Sequence, residues 1–76
     1  MKLVLVYGKT LIKILNKRGF VAKRQQSSHM QLEDNEGRRV TVPIHAGREI
    51  GRGLLSKILR DAEISREEYE KLRQEV

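Results

Sequence analysis

Two histidines, His29 and His45, are the side chains of this sequence best suited to moving protons near neutral pH, where imidazole changes charge. His29 heads a short alternating run, His29-Met30-Gln31-Leu32-Glu33. Successive side chains on a β-strand face opposite sides. With Met30 and Leu32 turned to a core, His29, Gln31 and Glu33 share the solvent side. Such an imidazole can take up or return a proton in general acid–base catalysis, a contribution worth about 10²- to 10⁴-fold in rate. Taken alone, an exposed strand histidine is more often an ordinary surface residue. His45 is the obvious second proton-transfer group, yet its place just after Pro43 favours a structural role in which a ring nitrogen holds the loop. A metal site needs several clustered His, Cys or carboxylate ligands. The chain has no Cys, and its two histidines show no recognisable carboxylate spacing between them, so neither metal nor other cofactor is expected.

The charge around these histidines is one-sided. The net charge is +6, and residues 1 to 26 carry Lys2, Lys9, Lys13, Lys17, Arg18, Lys23 and Arg24 without a single Asp or Glu. From residue 48 onward, acids and bases balance. A one-sided basic cluster is the electrostatic footprint of a nucleic-acid binder, although Lys-rich solvated helix faces are also common. Without Cys nothing points to an oxidising compartment, and the cytoplasm is the expected location. The apolar run Leu3 to Val6 is too short for a signal peptide or a membrane span, so no membrane association is expected.

The elements that must position these groups follow from periodicity. Lys2 to Tyr7 reads as an extended lead-in or a short edge strand. Gly8 then opens a helix in which Leu11, Ile12, Ile14 and Leu15 oppose Lys9, Lys13 and Lys17, ending at Gly19 as an αL C-cap. The spacing predicts strands over Phe20–Gln26, His29–Glu33 and Arg38–Val42. Asp34-Asn35-Glu36-Gly37 makes the second turn, and Pro43 stops the ladder. A second helix is predicted over Ile50–Asp61, with Ile50, Leu54, Leu55, Ile58 and Leu59 inward. Gly51 and Gly53 leave its start slim, which either suits a phosphate beside Arg48 and Arg52 or merely softens the helix entry. Ser65 and Glu68 form a capping box for a short last helix with Ile64, Tyr69 and Leu72 inside. The expectation is one α+β domain over residues 1–76, ordered α-β-β-β-α with a short C-terminal helix. Its two helices bury Met30, Leu32, Val40 and Val42, and His29, Gln31, Arg39 and Thr41 stay on the uncovered face.

Gly19-Phe20, Arg24-Gln25, Ser28-His29, Gly37-Arg38-Arg39, Val42-Pro43-Ile44-His45, Leu54 to Leu59 and Ile64-Ser65-Arg66-Glu67-Glu68, in this order and spacing, resemble the HicA/YcfA-like toxins of bacterial toxin-antitoxin systems. The resemblance runs from about Gly8 to Leu72. It implies a double-stranded-RNA-binding-domain-like fold, a ribonuclease that cleaves mRNA, and a HicB-like antitoxin that holds it inactive. The antitoxin is expected over or beside the face with His29 and Arg39, since blocking substrate is the simplest way to silence so small an enzyme. The family's catalytic histidine follows a Gly-Ser pair; its counterpart here is His29, with Ser27 in the place of Gly. Imidazole there would exchange protons with a ribose 2′-OH and a leaving oxygen. Lys23, Arg24, Arg38 and Arg39 are candidates to hold the phosphate and offset its growing charge. Lys9, Lys13, Arg48 and Arg52 complete the expected RNA-binding set. Two other classes fit the same residues: a non-catalytic RNA-binding module that reads duplex shape, and an interaction domain whose basic face docks an acidic partner.

Overall fold

The structure, a computed structural model, describes residues 2–76. Its elements are α1 (Gly8–Lys17), β1 (Val21–Gln26), β2 (His29–Glu33), β3 (Arg39–Pro43), α2 (Arg52–Ala62) and α3 (Arg66–Arg73). This is the expected α+β order. α1 is amphipathic as its spacing requires: Leu11, Ile14 and Leu15 are fully buried and Lys9, Lys13 and Lys17 exposed. It closes in a Schellman arrangement, the Phe20 N–H donating to the Leu15 carbonyl at 2.9 Å and the Gly19 N–H to that of Asn16 at 3.1 Å. That closure drops Phe20 into the core, so the strand starts one residue later than its alternation suggests.

The sheet is antiparallel with order β1-β2-β3. Across β2 and β3, Met30 pairs with Val42 and Leu32 with Val40 on the inner side. On the outer side His29 pairs with Pro43, Gln31 with Thr41 and Glu33 with Arg39. β1 pairs with β2 through a bulge in which Lys23 is the extra residue, Ala22 facing Leu32 and Arg24 facing Gln31. Unbroken alternation puts Arg24 on the side of Ala22; the bulge moves it to the side of His29. All six residues of β1 are exposed. The helical packing falls on β3, from both α1 and α2, while α3 packs on α1.

Three expected details come out differently. The lead-in forms no strand: Leu3 and Val6 are buried, and the Val6 carbonyl accepts from the Ile50 N–H at 2.9 Å. α2 begins at Arg52, with Ile50 buried ahead of it. Its core face is Leu55, Ile58, Leu59 and Ala62, and Leu54 is exposed. The capping box forms only in one direction. Ser65 Oγ accepts from the Glu68 N–H at 3.0 Å, while the Glu68 carboxylate reaches Arg18 Nε at 3.0 Å and ties α3 to the end of α1. Buried Tyr69 ties α3 to the lead-in as well, its hydroxyl donating to the Val4 carbonyl at 2.5 Å, and burial pushes its pKa up to about 12. Among the described residues no helix is long and apolar enough to cross a membrane.

Candidate active site

β1 and β2 are joined by the two-residue turn Ser27-Ser28, closed by the pair Gln26 and His29. Ser27 has φ of 58° and Ser28 lies outside the positive-φ region, the pattern of a type II′ turn, whose first position glycine favours. A serine therefore holds the left-handed conformation at the position where the family resemblance places glycine. The turn sets His29 at the corner of the outer face, opposite Pro43. Pro43 does not stop the ladder as expected: it pairs with His29 at the end of β3, and the ladder runs one step further, the Ile44 N–H donating to the Ser28 carbonyl at 2.6 Å. His45 then begins a tight turn closed by the Arg48 N–H on the His45 carbonyl at 3.2 Å, with Gly47 at φ of +77° in the third position, where a type II turn requires it. α1 presses on this corner from below. A Cβ on Gly8 would stand 2.3 Å from the Pro43 carbonyl oxygen, so only glycine admits the contact.

The outcome is a pair of imidazoles. The His29 and His45 ring centroids lie 6.4 Å apart with planes at 83°. Both residues are exposed, and among the described residues neither ring nitrogen has a hydrogen-bond partner. The loop-holding hydrogen bond anticipated for His45 is thus not formed; Gly47 and the main chain shape the loop instead.

Three shallow depressions border this pair, and a fourth adjoins one of them. His29 borders one with Arg39, Leu54, Lys57 and Asp61. His45 shares a second with Arg48, Glu49 and Leu54, and a third with Lys9 and Thr10 at the start of α1. Arg39 also borders a fourth, with Lys23 and Arg24. Because neighbours share His45, Leu54 or Arg39, the depressions form one track from α1 past both imidazoles to β1. Lys9, Lys23, Arg24, Arg39 and Arg48 of the expected set line it. Lys13 and Arg52 are exposed but outside it. Lys57 and Leu54 were not anticipated: helical spacing alone assigned Leu54 to the core, and Lys57 lies one turn further along that edge of α2. Lys57 Nζ is 2.8 Å from Asp61 Oδ2, and Arg39 Nε 3.3 Å from Glu33 Oε2. Exposed pairs of this kind are worth little and leave the cations available to a phosphate.

Arg38 stands apart from that track. Its Nη1 donates to Asp34 Oδ2 at 2.8 Å, its Nη2 lies 3.2 Å from both Glu36 and Glu63, and its Nε lies 3.0 Å from Glu63 Oε2 without the angle of a hydrogen bond. Its side-chain hydrogen bonds to Glu63 and Asp34 raise its pKa further above the already high guanidinium value. The charge is committed within the protein. Among the described residues no three His, Cys, Asp or Glu side chains come together as a metal site requires.

Fold and surface together define a small basic α+β protein with an imidazole-bearing sheet face flanked by cations. The family model for the HicA toxin of bacterial toxin-antitoxin systems matches residues 8–64, and the chain belongs to that family. It is the nuclease-type toxin of such a pair, and an antitoxin is its partner. No curated protein matches the chain.

Proposed function

We propose that this toxin is an endoribonuclease that cuts mRNA without a metal ion, with His29 taking the proton from the attacking ribose 2′-OH. The observation that carries this reading is His29 itself, exposed at the corner of the outer sheet face and bordering one depression with Arg39 and Lys57. As the 2′-oxygen bonds to phosphorus, its proton passes to the imidazole, and the bond from phosphorus to the 5′-oxygen breaks. Arg39 and Lys57 face the negative charge that grows on the phosphoryl oxygens. Arg24, Lys23, Lys9 and Arg48, spread along the track, hold neighbouring phosphates and so position the strand without reading its bases. Exposed Leu54 gives a base an apolar surface between the two histidine depressions.

The test is His29→Ala in purified protein and in cells. Cleavage and growth arrest should be lost, while the fold changes by no more than about 0.5 kcal/mol, as for other exposed substitutions. RNA affinity should persist. Wild-type cleavage should continue in EDTA, stop with a 2′-deoxy sugar at the scissile nucleotide, and leave a 2′,3′-cyclic phosphate and a 5′-hydroxyl. A magnesium requirement with 5′-phosphate products would overturn the assignment. Binding without cleavage by the wild type would favour the non-catalytic RNA module.

A further inference from the structure

The reaction above leaves one proton transfer without a donor. When the bond to the 5′-oxygen breaks, that oxygen departs as an alkoxide unless a proton reaches it in the same step, and a single imidazole that has just accepted a proton stands on the nucleophile's side. In an in-line displacement the entering and leaving oxygens lie on opposite sides of phosphorus. Acid and base must therefore flank the phosphate from two directions. Each must come within about 2.6–3.2 Å of its oxygen.

The geometry points to His45 as the general acid, a role that rests on the reading of His29 as the base. Its ring centroid is 6.4 Å from that of His29, close enough for both rings to reach oxygens of one phosphate when each hydrogen bond of about 2.6–3.2 Å approaches at an angle to the O–P–O line. The planes are nearly perpendicular, so the two rings are not stacked face to face. An edge-to-face aromatic pair that merely fastens the loop is the plainer explanation of the contact. Against it, both rings are exposed, and the loop is already fixed by the Gly47 turn, the Ile44-to-Ser28 hydrogen bond and the Gly8 contact. Pro43 and Leu54 border depressions on both sides, so one bound strand can meet both rings. The proton balance closes. Neutral His29 gains the 2′-proton, protonated His45 gives one to the 5′-oxygen, and exchange with water resets the pair.

A 5′-thio leaving group separates acid from base, because a thiolate departs without protonation. With ordinary RNA, His45→Ala and His45→Gln should each cut about 10²- to 10⁴-fold more slowly than wild type. With RNA carrying a 5′-bridging sulfur at the scissile bond, both should return to within about tenfold of wild type, the span of a lost acid having been bypassed. His29→Ala should stay slow on both. The pH profile of kcat/KM gives a second readout: wild type should show a bell, and the His45 variants should lose its alkaline limb. The charged neighbours, Lys9, Arg48 and Glu49 around His45 and Arg39, Lys57 and Asp61 around His29, are unchanged in these variants. His45 variants equally slow on both RNAs would overturn the assignment alone, and so would rescue of His29→Ala instead. A wild type inert on both RNAs would overturn the ribonuclease reading and this role with it. The ratio of the two substrate rates within one variant is independent of the fraction of folded protein.

Discussion

Ser27 opens the turn that leads into His29, and it sits in a conformation that a serine adopts at a cost. The left-handed region costs an L-residue about 1–2 kcal/mol, and glycine avoids that at an entropic cost of about 0.5–1 kcal/mol in the unfolded chain. Ser27→Gly should therefore stabilise the protein by about 0.5–1 kcal/mol, raising Tm by a few degrees in a chain of this size. A fall in Tm would show that the serine hydroxyl makes the turn worth its strain. The outward direction of His29 was legible in the alternation of Met30 and Leu32 alone. Its nearness to His45 was not. That contact depends on a turn closed around Gly47 and on α1 resting against Pro43, and neither leaves a periodic trace in the chain.

Between elements, Arg38 clamps the β2–β3 turn to the end of α2. Asp34 Oδ1 accepts from the Glu36 N–H at 3.0 Å and the Arg38 N–H at 2.8 Å, so the turn presents Arg38 to Glu63, itself left-handed at the C-cap of α2. Burial works to raise the pKa of Asp34, but the hydrogen bonds from Arg38 and Glu36 outweigh it and hold the carboxyl below its ordinary 3.8. The Arg38 hydrogen bond lowers Glu63 from 4.5. Carboxyls depressed in the folded state bind protons more readily when unfolded. Their stabilisation is full above the ordinary carboxylate range and lost as pH falls through the lowered folded values. Thermal melts from neutral pH down to about pH 2.5 should show wild type losing stability through this window. Arg38→Met should start lower at neutral pH and lose less on the way down; parallel curves would remove the clamp as the acid-sensitive element. Residue type alone suggested that Arg38 faces a phosphate. The nearby acids Asp34 and Glu36 were visible in the chain, whereas Glu63 became a partner only through folding.

At the level of the whole molecule, the order of elements, the inner sheet face and most of the core helix stripes were readable from hydrophobic period, because each is a local pattern. The bulge at Lys23, the exposure of Leu54 and the use of Glu68 on Arg18 were not, since each is settled by how elements meet. β1 has a further consequence, for solubility. It is bonded on one side only, and its other edge offers unpaired main-chain groups, a template on which a second chain could add as a strand. The bulge and the charges of Lys23 and Arg24 are the features that blunt it. Replacing both with threonine, a good strand former without charge, should make the protein self-associate as concentration rises, seen as growing sedimentation coefficients or light scattering. A variant monomeric throughout would show that the bulge alone protects the edge. The same two cations border the track, so the charges expected to blunt this edge are also those proposed to hold RNA phosphates.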